Sequence, residues 1–319
     1  MKILVTGGAG FIGFHTCLKL IKKGYEIYTI DNINDYYDVN LKLDRIKKLK
    51  SFKNFFFIKI SISNFDKINE LVKKNKIQYI VHLAAQAGVR YSVENPKAYF
   101  ESNLAGFFNI LEVARLNKIN HFIFASTSSV YGNSKNFPLH EKTNTDKPLS
   151  FYAATKKSNE VMAYSYSNIY NLPTTALRFF TVYGPLGRPD MSLYKFTNAI
   201  INNKKIELFN HGNHIRDFTY VDDIVEGIVK LILKPSNKTI PYNCFNIASG
   251  NPQQLKKFIK LIEKNLKKKS LKRNLPLQLG DVKKTYASIQ SLKKYVNYVP
   301  KVSIEEGIEN FIQWFKNNK

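Results

Sequence analysis

The stretch Gly7-Gly8-Ala9-Gly10-Phe11-Ile12-Gly13 decides the fold. It follows a β-branched run, Lys2 to Thr6, and leads into a stretch with helical periodicity, Gly13 to Lys23. Glycines at that spacing permit a tight turn, let the backbone approach a pyrophosphate, and allow close packing of helix on strand, with the anion at the positive helix N-terminus. Eighteen residues after Gly13, at the end of the next apolar run (Glu26 to Ile30), stands Asp31, placed to accept hydrogen bonds from an adenosine ribose. A carboxylate there repels a 2′-phosphate, which favours NAD over NADP.

Working outward, strands and helices alternate: a helix at Val39 to Leu49, a strand at Phe55 to Ile60, a helix at Phe65 to Asn75 and a strand at Tyr79 to Leu83. A long helix at Pro96 to Asn117, a strand at His121 to Ser126, a helix at Tyr152 to Tyr170 and a strand at Thr174 to Phe179 complete the series. This rhythm predicts an α/β fold with a doubly wound parallel sheet. After Gly184 it breaks into Pro and Gly turns, shorter strands and a charged C-terminal helical part from Leu255 to Lys319. Two lobes are therefore expected: residues 1–180 binding the dinucleotide and 181–319 binding substrate, with a segment near 215–248 returning to the first lobe.

The 319 residues carry 49 Lys plus Arg against 24 Asp plus Glu, a formal net charge of +25. Only seven of the basic residues are Arg, and the Lys excess runs along the whole chain beside Asn, Ile, Phe and Tyr. That spread reads as compositional background, not as a nucleic-acid surface, which would cluster its charge. The densest run, Lys264 to Arg273, is expected to be a tail helix. With two cysteines, Cys17 and Cys244, there is no disulfide framework or metal-ligand pattern, so no metal is expected and a reducing cytoplasm fits. No window is long and apolar enough to be a membrane span, and the N-terminal run reads as a strand.

Tyr152 and Lys156, four apart on a helix, share one face. A cationic Lys beside Tyr is expected to lower the phenol pKa and yield a base at neutral pH. The hydroxyl-rich stretch Ala125-Ser126-Thr127-Ser128-Ser129-Val130-Tyr131-Gly132 ends a strand that abuts the same cleft. Together with the glycine loop, Asp31 and His82-Leu83-Ala84-Ala85, these residues resemble the extended short-chain dehydrogenase/reductase family of nucleotide-sugar epimerases and dehydratases, over essentially the whole chain.

The resemblance implies a Rossmann-type first lobe, a smaller C-terminal α/β lobe and catalytic Thr127, Tyr152 and Lys156. It implies an NAD site made by Gly7, Gly10, Phe11, Ile12, Gly13, Asp31, Asn32, Leu83, Ala84, Ala85 and Asn103 with Tyr152 and Lys156. Dehydratases of the family carry Asp-Glu after the catalytic Thr, and its uronate decarboxylases carry Ser-Glu. Ser128-Ser129 offers no carboxylate, so epimerisation is the simplest chemistry. Three longer stretches, Asp31 to Asp38, His82 to Pro96 and Arg178 to Met191, resemble the UDP-glucuronate 4-epimerases of the family. Arg188 with Thr181 would meet the sugar carboxylate, Arg90 is a second candidate cation, and Ser128 would line the sugar site. Arg216 matches a pyrophosphate ligand and Asp281 a uridine-ribose acid. The expected partner is a UDP-sugar, UDP-glucuronate favoured, with no nucleic acid or membrane, and the resemblance implies a homodimer through the helices Pro96 to Asn117 and Tyr152 to Tyr170.

Alternatives are a 4-epimerase of another UDP-sugar, a nucleotide-sugar dehydratase or decarboxylase, and a non-catalytic dinucleotide-sensing or nucleic-acid-binding protein that kept the fold. The chain departs from the family pattern at Ile60-Ser61-Ile62, where many members have Gly-Asp-Ile with the Asp on adenine, at Gln278 and at Leu186.

Overall fold

The computed structural model describes residues 1–318. Its first lobe runs β1 (Lys2–Thr6), α1 (Phe11–Lys22), β2 (Glu26–Asp31), α2 (Val39–Leu49), β3 (Phe55–Lys59), α3 (Phe65–Asn75) and β4 (Tyr79–His82). There follow α4 (Tyr91–Glu94), α5 (Pro96–Tyr99), a π-helical segment (Phe100–Gly106), α6 (Phe107–Leu116), β5 (His121–Thr127), α7 (Phe151–Tyr170) and β6 (Thr174–Phe179). The later part comprises β7 (Thr181–Tyr183), α8 (Ser192–Ile201), β8 (Lys205–Phe209), β9 (Ile215–Arg216), β10 (Phe218–Tyr220), α9 (Val221–Ile232) and β11 (Tyr242–Ile247). It ends with β12 (Gln253–Gln254), α10 (Leu255–Leu266), β13 (Leu271–Leu275), α11 (Gln290–Val296) and α12 (Ile304–Asn317).

Seven strands form one parallel sheet in the order β11-β6-β5-β4-β1-β2-β3. The order reverses between β1 and β4, which opens a crevice at the carboxyl ends of those strands. The strands are nearly continuous apolar runs because helices cover both faces. One face buries Ile3, Val5, Phe14 and Leu20 with Ile224 and Ile228 of α9, and the other buries Leu4, Ile80, Phe122 and Phe124 with Phe107 and Ile110 of α6. Helices α8, α10 and α12 with β7, β8 and β10 enclose a separate core around Phe218 and Phe258, stacked at 4.1 Å, with Phe311 and Phe315 of α12.

Two expectations need correction. The helix from Pro96 to Asn117 is continuous in direction, but its middle, Phe100–Gly106, is π-helical. The basic run Lys264 to Arg273 is not a tail helix. Lys267 adopts a left-handed conformation (φ 53°) that ends α10, and the chain then pairs as β13 in parallel with β8. Glu263, largely buried, fixes the reversal by accepting the Ser270 N–H at 2.9 Å, with Lys272 3.5 Å away.

Candidate functional site

A single cleft of about 1040 Å³ lies along the carboxyl ends of the strands and continues between the two cores. The glycine loop floors one end. Gly7 has φ 75°, and a Cβ there would stand 2.7 Å from the Ala84 amide nitrogen; at Gly13 a Cβ would stand 2.1 Å from the Gly7 carbonyl oxygen. Close backbone approach is therefore obligatory. Gly10 caps α1 with no side-chain hydrogen bond, so the first-turn N–H groups of this 12-residue helix are left for an anion. Asp31 closes this end: its Oδ2 accepts from Ala9 N at 3.1 Å and its Oδ1 from Ile33 N at 2.9 Å. Burial pushes its carboxyl up, against the pull of the Ile33 hydrogen bond and Lys42. These residues, with Phe11, Ile12, Asn32, Leu83, Ala84 and Ala85, line the cleft and fit a dinucleotide.

Asn103 lies outside that lining. It is buried in the π-helical segment, where its side chain bonds both the amide (2.8 Å) and the carbonyl (2.9 Å) of Gln86 and reaches Thr155 Oγ1 at 3.2 Å. It thus fixes the Gln86 strap, which does line the cleft, against α7. Ile60 and Ile62 also line the cleft, while Ser61 bonds the Ser63 hydroxyl at 2.8 Å.

Tyr152 and Lys156 enter from the first turns of α7, whose start is capped by Ser150 accepting from Ala153 N. Thr127 ends β5 and its Oγ1 accepts from Ser129 N at 3.2 Å. Lys156 is buried and its Nζ donates to the Ala125 carbonyl at 3.0 Å. Beneath them Glu160 of the same helix accepts from Ser126 Oγ at 2.6 Å and forms a buried pair with Arg178 at 2.7 Å, which braces α7 on β5 and β6.

The electrostatics differ from the expectation that Lys156 lowers the Tyr152 pKa. Burial pushes the Tyr152 phenol up; the opposing influences are the Thr127 hydrogen bond and the charge of Arg188. Burial lowers Lys156 itself to about 8, and its proton is directed at a backbone carbonyl. Thr127 and Arg188 are thus the groups that favour a phenolate here.

Thr127, Ser128, Thr181 and Arg188 gather in the middle of the cleft, and Arg90 sits at its exposed rim with its guanidinium 4.5 Å from the Phe209 ring centre. Arg188 donates from Nε to Asp190 Oδ1 at 3.0 Å and from Nη2 to Oδ2 at 2.5 Å. At the far end Arg216 donates to Asp281 Oδ1 at 2.9 Å, not to Asp222 or Asp223, and His214 Nε2 stands 3.4 Å from Asp281 Oδ2. Burial lowers the Arg216 pKa, whereas for Asp281 the neighbouring His214 ring and Arg216 outweigh burial and hold the carboxyl below the usual range. Sequence reasoning missed Tyr36, Lys42, Asp190 and His214. Tyr36 and Asp190 both fall inside stretches singled out for their resemblance, whereas His214 carries no signal beyond its place two residues before Arg216.

A family model described as GDP-mannose 4,6 dehydratase matches residues 4–311. The chain belongs to this family of extended short-chain dehydrogenases/reductases. Among its relatives, Protein CapI of Staphylococcus aureus is 49% identical over 329 residues, covering 99% of this chain and 98% of that one. A probable UDP-glucuronate 4-epimerase of Rhizobium meliloti is 41% identical over 333 residues, with 100% and 98% covered. The crystal structure of UDP-glucuronic acid 4-epimerase from Bacillus cereus, in complex with UDP-glucuronic acid and NAD, superposes with a TM-score of 0.94 at 34% identity, covering 100% of both chains. Within this family the chain has Ser128-Ser129 lining the cleft beside Thr127, a pair that supplies hydroxyls and no carboxylate.

Proposed function

We propose that this protein is a UDP-glucuronate 4-epimerase that interconverts UDP-glucuronate and UDP-galacturonate with bound NAD. The observation that carries the reading is Arg188 and Thr181 lining the same stretch of cleft as Thr127, Tyr152 and Lys156, so that a cation for a uronate carboxylate lies beside a base for the 4-hydroxyl. The Rhizobium and Bacillus relatives support it.

The glycine loop, and Asp31 at the adenosine ribose, would hold NAD, which when bound would supply the acceptor and donor of the 4-carbon hydride. Tyr152 takes the 4-hydroxyl proton and later returns it, with Thr127 orienting the hydroxyl. Lys156 fixes the end of β5 and supplies positive charge when protonated. The 4-keto sugar is a β-keto acid, which loses carbon dioxide when its carboxylate stands perpendicular to the carbonyl plane; Arg188 and Thr181 hold it out of that orientation. The nucleotide is anchored by Arg216 and Asp281, so the sugar can turn over while its handle stays in place. Ser128 hydrogen-bonds the sugar, and Arg90 draws the anionic substrate to the rim.

NMR of the product formed from UDP-glucuronate with catalytic NAD tests this. UDP-galacturonate is expected, and a pentose product would instead reveal a decarboxylase. A second reading, a 4-epimerase of a neutral UDP-hexose, is favoured by one observation: Asp190 already takes two of the Arg188 donors. Preferential turnover of UDP-glucose would establish it.

We further propose that residues 1–180 with α9 (Val221–Ile232) and Tyr242–Ile247 form the cofactor lobe, and that most of the rest of 181–319 forms the substrate lobe. A homodimer through α5 to α6 and α7 is supported by exposed Phe100, Phe108, Val161 and Tyr164 on those segments. A cytoplasmic setting, supplying activated uronate for polysaccharide synthesis, suits two free cysteines and a chain with no helix, among the described residues, long and apolar enough to cross a membrane.

A further inference from the structure

Arg188 is fixed before any substrate arrives. Asp190 grips one edge of its guanidinium through Nε and Nη2, and the two side chains are only 19% and 28% exposed. Tyr36 donates its hydroxyl to the same Asp190 Oδ2 at 3.4 Å, and its ring centre lies 5.8 Å from the guanidinium carbon. Tyr36 packs in turn on Tyr91 at 4.9 Å, and a Cβ on Gly88 would come within 2.9 Å of the Tyr36 hydroxyl. The cluster therefore has little room to rearrange.

Inverting the 4-carbon requires the ring to present both faces to one fixed hydride site, so any group holding the carboxylate has to release it and take it back. A desolvated guanidinium whose charge no protein carboxylate balances holds a substrate carboxylate in a pair that is slow to break. We infer that Asp190 is a positioning residue: it occupies the side edge of Arg188 and balances its charge, so that the substrate carboxylate meets only the outer edge, Nη1 with the second N–H of Nη2, of an already neutralised pair and can leave it at each turnover. This deepens the proposed function and rests on it.

The test compares wild type with Asp190→Asn. Steady-state KM and kcat are measured on UDP-glucuronate, and UDP-glucose serves as a competitive inhibitor without a carboxylate. In Asp190→Asn the KM for UDP-glucuronate falls about threefold or more and kcat falls about tenfold or more, while UDP-glucose inhibition stays within about twofold. Asp190→Glu, which keeps the charge, retains kcat within about threefold. A KM that rises, or an equal loss for both ligands, overturns the inference. A second measurement needs no variant: in a crystal structure of the wild type with UDP-glucuronate and NAD, the Asp190 pair stays intact and the carboxylate meets Nη1, whereas Arg188 turned away from Asp190 overturns the inference. Failure of the wild type to convert UDP-glucuronate removes the functional reading as well; conversion with an unaltered Asp190→Asn removes only the role of Asp190.

Discussion

Lys156 Nζ and the Ala125 carbonyl oxygen are 3.0 Å apart, a hydrogen bond that ties the first turns of α7 to β5 two residues before Thr127. It holds a charge in a buried place, and burial lowers that lysine to about 8. The unfolded lysine titrates near 10.4. The unfolded chain thus binds the extra proton between those values, so the penalty is full below pH 8 and fades as pH rises toward 10.4.

Lys156→Met should remove that penalty, which is on the order of 3 kcal/mol at pH 7, at the loss of one hydrogen bond to a buried carbonyl, about 1–3 kcal/mol. The expected outcome is a protein whose Tm at pH 7 is unchanged or higher by about 2 °C, with turnover reduced about a thousandfold. Calorimetry beside an activity assay checks both; a Tm lowered by 5 °C would show that the lysine stabilises the fold.

Asp31 lines the glycine-loop end of the cleft with Lys42 close enough to oppose its burial penalty. Asp31→Ser removes the carboxylate and leaves Lys42. Relative binding of NADP over NAD, read by calorimetric titration, should then rise about tenfold or more. An unchanged ratio would mean that Asp31 serves only to hold Ala9 and Ile33.

Arg188→Ala takes away both the cation and the partner of Asp190. The KM for UDP-glucuronate should rise about tenfold or more, and the fraction of turnovers ending in a pentose and carbon dioxide should increase. Unchanged turnover and no added carbon dioxide would refute the role assigned to this arginine.

Two buried histidines set the acid limit. Burial, with Lys156 adding to it, lowers His82 to about 3, and burial lowers His121 to about 4. Both lie below the unfolded value near 6.5. The unfolded state binds more protons in that window, so stability is lost as pH falls from about 6.5, by roughly 2 kcal/mol per histidine at pH 5. The urea midpoint should drop steeply between pH 7 and pH 5, and His121→Gln, which can still reach Thr175, should flatten the drop by about half. A parallel pH profile in that variant would point to carboxylates instead.

Local patterns made much of this legible. The glycine loop, Asp31 at the end of β2 and the Tyr152/Lys156 pair each lie within one or two elements, where spacing alone dictates which side chains meet. Asp190 and Tyr36, 154 positions apart, meet only because the loop after β7 folds back over the first lobe, and no periodicity records that. Arg216 and Asp281, 65 positions apart, pair where Ile215 bridges to Lys284. The direction of the Tyr152 shift is hidden for a related reason: an i, i+4 spacing fixes the face of a helix, whereas the burial that raises the phenol depends on elements distant in sequence. In the run Lys264 to Arg273, charge reads alike for a solvated helix and an exposed edge strand, and the left-handed Lys267 settles it for the strand.

The sheet order bears on how this chain leaves the ribosome. β6 finds its outer neighbour only in β11, more than sixty residues later, along a register from Thr174 opposite Tyr242 to Phe179 opposite Ile247. Until Ile247 has emerged, a nascent chain carries β6 as an open edge rich in apolar side chains, the kind of surface that pairs with other chains. A fragment cut after residue 180 would therefore be prone to aggregate, and the seven-stranded sheet is completed only when most of the polypeptide has been made.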